Sequence, residues 1–153
     1  MSNVNFSDFE KQAIVSLIIE MINSDRVITI EEMYASNAIN AELGITEEVF
    51  RAGMALDFDY AIELVKKMDT QRKCFVAQQL VRVMDADGAD DAELNLFEEI
   101  GRRIGLDKEL GCDTEQWPAL ADLNNLINPC FQGYRLTWKH GCFYWTLLDI
   151  AFW

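Results

Sequence analysis

Proline is nearly missing from this chain: only two of its 153 residues are proline, and neither comes before Pro118. No ring therefore interrupts backbone hydrogen bonding ahead of that point. Histidine occurs once, at His140, so the composition builds neither an imidazole proton relay nor a histidine-rich metal site. Bases are scarce, 13 Lys and Arg against 26 Asp and Glu, for a net charge of −13. That field repels phosphate backbones and anionic lipid headgroups, which excludes nucleic acid as a direct partner. It attracts a divalent cation or a basic patch on another protein, and it also keeps a surface solvated. Long hydrophobic runs are absent too: stretches such as residues 14–19 fall far below the ~20 that span a bilayer, so direct membrane insertion is excluded. Residues 1–12 carry no basic leader region and no small-residue cleavage site, and the expected location is cytoplasmic. Cys74, Cys112, Cys130 and Cys142 repeat no redox or zinc-ribbon spacing. In that compartment they are expected to be reduced thiols that serve packing.

What the chain does have is apolar residues at helical spacing. Half of the sequence is hydrophobic and a quarter is charged, enough to bury a core without disulfide or metal staples. Over residues 6–106 the spacing predicts an all-α domain with almost no strand-like alternation. A first helix over residues 7–24 carries Ala13, Ile14, Leu17, Ile18, Met21 and Ile22 on one stripe, widened by Val15 and Ile19, which predicts a central helix touched on several sides. A second, over residues 29–43, has Glu31 and Glu32 in its first turn and stops at Gly44. A third starts at the Thr46 cap and is expected to break near Gly53, with a fourth over residues 57–68. The fifth, over residues 70–84, has the broad apolar face of Val76, Ala77, Leu80, Val81 and Met84, and is expected to pair with the first. A sixth, over residues 91–104, turns Leu94, Phe97, Ile100 and Ile104 inward and ends at Gly105.

Composition then changes. Residues 117–153 hold both prolines, all four tryptophans and the histidine. Pro118 predicts a short helix over residues 117–127, whereas residues 128–153, punctuated by Pro129, Gly133 and Gly141, follow no single pattern. The chain thus divides into a helical domain over residues 1–110 and an aromatic-rich C-terminal extension over residues 111–153. Phe143, Tyr144, Trp145, Leu147, Leu148, Ile150, Phe152 and Trp153 demand burial, on the same domain or across a homodimer interface. Cys112, Cys130, His140 and Cys142 make a poor zinc set, with no C-x-x-C pair among them. A lone histidine with no nucleophile elbow, and no phosphate-binding glycine loop, gives no catalytic constellation, so the expected role is not enzymatic.

The strongest local signal is acidic. Asp85, Asp87, Asp90, Asp91, Glu93, Glu98 and Glu99 fall within residues 85–99 with no base among them. Carboxylates near a helix N-terminus, with Gly88 for the bend, suit a hard cation such as calcium or magnesium. An EF-hand is excluded, because counting from Asp85 the glycine comes too early and the last ligand position falls on Leu96. Helix capping by Asp90 or Asp91, with Glu93 favoured by the helix dipole, explains the same acids without a metal. Arg26 offers a third account, as an ion-pair partner for Asp85 or Asp87.

Two stretches share an order of parts, an apolar helix, an acidic loop and a helix closed by a hydrophobic-Gly-hydrophobic stop. Glu32 precedes Leu43-Gly44-Ile45 by the count that separates Glu93 from Ile104-Gly105-Leu106, while the loops differ by one residue. If the halves face each other, Asp25 and Glu32 converge with Asp87 and Glu93, and the candidate metal ligands are Asp25, Glu32, Asp85, Asp87 and Glu93. The loops read Asp25-Arg26-Val27-Ile28-Thr29-Ile30-Glu31-Glu32 and Asp87-Gly88-Ala89-Asp90-Asp91-Ala92-Glu93. Over residues 6–110 the chain resembles the tellurite-resistance protein B (TerB-like) family, whose loops run Asp-Gly, a short linker, then one or two glutamates. Arg26 stands where that pattern has glycine, and the second loop has acids where it prefers a hydrophobic residue. The resemblance implies a compact helical domain of two similar halves, acting in a stress-response or membrane-associated assembly. The expected partner is a protein with a basic surface. The alternative from a different class is an acidic inhibitor or immunity-type protein that masks a basic enzyme.

Overall fold

The computed structural model describes residues 4–109 and the backbone of two strands, Tyr134–Lys139 and Cys142–Leu147. Helix α1 (Asp8–Asn23) starts at a capping box in which the Ser7 hydroxyl accepts the Glu10 N–H at 3.3 Å and the Glu10 carboxylate accepts the Ser7 N–H at 2.8 Å. Ala13 to Ile18 are buried without a gap, as are Met21 and Ile22. A helix apolar nearly all round has to be enclosed. Helices α3 (Glu47–Ala55), α4 (Phe58–Lys66), α5 (Thr70–Asp85) and α6 (Asp91–Arg103) all pack on it, and the expected pairing of α1 with α5 is among these contacts. Thr46, Asp57 and Asp69 cap α3, α4 and α5, each accepting a backbone N–H from three residues on.

The third helix was expected to break near Gly53; α3 runs through that residue and ends two residues on, at Ala55. The reason is packing. A Cβ at Gly53 would lie 2.6 Å from Val15 Cβ and 2.9 Å from the Gln12 carbonyl oxygen, so the missing side chain lets α3 press against α1. Propensity alone marks glycine as a breaker, but close helix contact outweighs its ~1 kcal/mol cost.

Helix α2 (Ile30–Glu42) lies farther out, in contact with α5. Arg82 on α5 grips the Glu42 carboxylate with both guanidinium nitrogens, at 2.7 and 3.0 Å. Helix α7 (Leu106–Glu109) is tied back to α5 by the buried Lys73, which pairs with Glu109, while the Thr70 hydroxyl donates to the same carboxylate at 3.0 Å. The order of parts repeats in detail. Helices α1 and α5 have 16 residues each and α2 and α6 have 13 each. Each shorter helix closes on a left-handed glycine, Gly44 at φ 63° or Gly105 at φ 77°.

Residues 4–109 are therefore all-helical, as the apolar spacing predicts. Beyond them β1 (Tyr134–Lys139) and β2 (Cys142–Leu147) form an antiparallel hairpin, in register from Tyr134 opposite Leu147 to Lys139 opposite Cys142, within a stretch to which the sequence pattern assigns no element. The helix expected over residues 117–127, the burial expected of the aromatic tail, and the Cys112, Cys130, His140 and Cys142 side chains lie outside the described residues. No described helix is long and apolar enough to cross a membrane. Cys74, fully buried on α5, is disulfide-bonded, which corrects its expected reduced state. Spacing along the chain carries no signal for a bond made by tertiary proximity.

The α1–α3 contact gives a direct test. Gly53→Ala gains helix propensity but forces a methyl group into Val15 and the Gln12 carbonyl. Overpacking of this kind costs roughly 1–3 kcal/mol. The variant is expected to unfold at lower urea with an unchanged slope, and a midpoint equal to or above that of the parent would mean that α3 moves away from α1 without cost.

Candidate metal centre

The two acidic loops leave their helices in the same way. After α1, Ser24 keeps helical geometry and Arg26 takes φ 64°; after α5, Ala86 keeps helical geometry and Gly88 takes φ 93°. A left-handed arginine is uncommon. Beside it Asp25 Oδ1 accepts the Val27 N–H at 2.8 Å, a local turn that offsets the strain. Each loop then enters its next helix through a capping box. The Thr29 hydroxyl accepts the Glu32 N–H at 3.2 Å and Glu32 Oε2 accepts the Thr29 N–H at 2.9 Å. Asp90 Oδ1 accepts the Glu93 N–H at 2.8 Å and Glu93 Oε2 accepts the Asp90 N–H at 3.0 Å.

Each box uses one oxygen of its glutamate and leaves the other. Glu32 is 0% and Glu93 1% exposed, and Oε1 of both is buried with no hydrogen-bond partner. With the exposed Asp87, they form a group in which one carboxylate oxygen from each lies within 4.8 Å of the others. Burying an acceptor unmade costs about 1–3 kcal/mol, more when it is charged. Two side by side have to be compensated. Two oxygens held ~2.4 Å from one calcium ion are at most about 4.8 Å apart, so this spacing fits a single hard cation.

Without a cation, a proton does the work. Burial pushes the Glu93 carboxyl up to about 8, against the Asp90 N–H that pulls it down, and the neighbouring Glu32 and Asp90 side chains push it further. Two ionised carboxylates have no hydrogen to share; one protonated carboxyl can donate to the other. Capping and cation binding are therefore compatible uses of one side chain, since the box engages Oε2 and leaves Oε1 without a partner.

Of the residues singled out by sequence, the fold brings Glu32, Asp87 and Glu93 together. Asp25 and Asp85 lie outside that group: Asp25 turns its own loop, and Asp85 is the last residue of α5. Arg26 makes no ion pair among the described residues, so an Arg26 bridge to Asp85 or Asp87 does not account for the cluster. Thr29 and Asp90 set the geometry by fixing both glutamates, and the T-x-x-E and D-x-x-E spacings are their sequence signal.

A raised carboxyl has a definite sign in folding. Between its ordinary value of 4.5 and about 8, Glu93 keeps a proton in the folded chain that the unfolded chain releases, so stability is greatest below that window and falls as pH climbs through it. Glu42, lowered by its hydrogen bond from Arg82, acts in the opposite sense at more acidic pH. Metal-free protein is expected to lose on the order of a few kcal/mol from about pH 5 to about pH 8. Glu93→Gln, whose amide donates where the protonated carboxyl does, is expected to flatten that profile in thermal melts; an equally steep loss in the variant would assign the pH dependence to other groups.

No protein-family model matches the chain, and neither does any curated protein. Among solved structures, it is similar to the crystal structure of a protein of unknown function from Porphyromonas gingivalis W83, with 29% identity and a TM-score of 0.59, over 67% of this chain and 88% of that one. This likeness supports the helical fold.

Proposed function

We propose that this chain is a non-enzymatic helical binding module that takes up a calcium or magnesium ion between its two acidic loops. The observation that carries this reading is that Glu32 and Glu93, each with a buried Oε1 that has no partner, are grouped with the exposed Asp87. A hard cation supplies both oxygens with a partner and displaces the Glu93 proton, while Asp87 offers a carboxylate that the ion meets from solvent. Three protein ligands leave most of the coordination sphere to water or backbone oxygens. On the TerB-like resemblance, the module serves a stress-response assembly of the tellurite-resistance type and meets a protein partner with a basic surface, for which the net charge of −13 is suited. The module acts, on this reading, in the cytoplasm.

Calorimetric titration of chelator-treated protein with calcium and magnesium tests the reading, alongside Asp87→Asn/Glu93→Gln. The parent is expected to bind, to release protons (seen as a dependence of the heat on the buffer's ionisation enthalpy), and to gain about 2.7 kcal/mol at a hundred-fold excess over Kd. The double variant is expected to lose all three effects. An absence of heat at millimolar concentrations of either ion, with a midpoint indifferent to both, would remove the cation and leave two capping boxes.

A further inference from the structure

Helix α2 is built inside out. Its buried residues are Glu32, Ser36 and Ile39, while Ile30, Met33 and Tyr34 face solvent at 68%, 54% and 71% exposure. The spacing i, i+3, i+4 places these three on one stripe, and Val27 and Ile28, just before the helix, are also exposed. Turning the helix half round would cover the stripe, but the Thr29–Glu32 box and the Arg82–Glu42 fork hold the opposite orientation. The apolar face is therefore presented by fixed contacts.

Charge identifies what fits it. Between residues 23 and 42 Arg26 is the lone base, against Asp25, Glu31, Glu32 and Glu42. A second copy brings the same acids and a net charge of −13, and an anionic lipid surface is repelled likewise. We infer that the outward face of α2 docks a cationic amphipathic helix of another protein, its apolar side on Ile30, Met33 and Tyr34 and its Lys or Arg flanks against the acids of the same segment, Glu31 on α2 and Asp25 in the loop before it. This is the helix-on-helix recognition in which anchors at i, i+3 and i+4 supply affinity and flanking charge sets partner choice. It rests on the α2 surface and stands whether or not a cation occupies the loops.

The test uses the full chain in chelator and a fluorescent Leu–Lys amphipathic helical peptide of about eighteen residues, roughly five turns, followed by anisotropy at physiological salt. Ile30→Ser/Tyr34→Ser is expected to weaken binding at least about ten-fold, while Phe9→Ser/Tyr60→Ser, which removes exposed aromatics from α1 and α4, changes it by less than about two-fold. A Leu–Glu peptide of the same pattern is expected to bind at least about ten-fold more weakly than Leu–Lys. All four substituted side chains are exposed, so circular dichroism should match the parent. Equal weakening by both variant pairs would reduce the binding to unspecific apolar contact, and no weakening by either would reduce it to unspecific charge attraction; each result would overturn the assignment. So would equal affinity for the two peptides, or a concentration-dependent dimer abolished by Ile30→Ser/Tyr34→Ser, which would make the occupant a second copy.

Discussion

Two carboxyl groups of like charge, held next to each other out of water, set the terms for the rest of this molecule. Glu32 and Glu93 each start a helix, and each satisfies a backbone N–H that would otherwise be orphaned. Their remaining oxygens are buried with no donor, and the two carboxylates lie in one group with Asp87. That pair cannot stay fully ionised and uncompensated, because charge repulsion and lost hydration act in the same direction. A proton on Glu93 is one solution and a divalent cation another. The two differ in what they demand from the loops. A proton needs the glutamates to touch, whereas a cation also draws in Asp87, which otherwise lies in solvent.

Such a strained junction persists because the packing around it is ample. Helix α1 is enclosed by four others, and Gly53 lets α3 approach without a side chain between the backbones. Lys73 and Glu109 fasten the end of the described helical chain to α5. These contacts hold the bodies of α1 and α5, from whose C-terminal ends both acidic loops depart, and one loop carries a residue more. A left-handed Arg26 in one and Gly88 in the other reach similar bends by different means; glycine has no Cβ penalty there, and the arginine is helped by the Asp25 turn.

Helix positions were legible because their causes are local. Apolar residues every three or four positions, caps such as Thr46 and Asp69, and the stops at Gly44 and Gly105 act within a turn or two of chain. The packing role of Gly53 was hidden because it depends on Val15, which no local rule connects to it. Glu32, Asp87 and Glu93 were legible as candidates through their acidity and the similarity of the loops. Asp25 was equally acidic, and its use in an intraloop hydrogen bond follows from the bend at Arg26. The division of labour within a glutamate, one oxygen for a cap and one for the interior, was hidden as well, since sequence weighs capping and metal binding as rivals. The Cys74 bond belongs with Gly53, a consequence of tertiary neighbours.

Helix α2 was read for its acidic first turn, and its reversed polarity follows from the same junction. A helix of its composition left to hydrophobic burial would turn Ile30, Met33 and Tyr34 toward the core and Glu32 toward water. The opposite orientation places Glu32 beside Glu93 and spends the apolar stripe on solvent. The inner and outer faces of α2 are therefore linked through one rigid element: whatever satisfies Glu32 favours the orientation that presents the stripe, and whatever covers the stripe favours the orientation that buries Glu32. Linkage requires the two effects to be reciprocal, and neither can exceed the difference in ligand affinity between the docked and displaced helix. If α2 is already held almost wholly in place by the Arg82 fork and its capping box, that difference is small and the faces act independently. Strong coupling demands a second, populated position of α2, and the outlying helix with few neighbours is the element of this fold with the freedom to supply one.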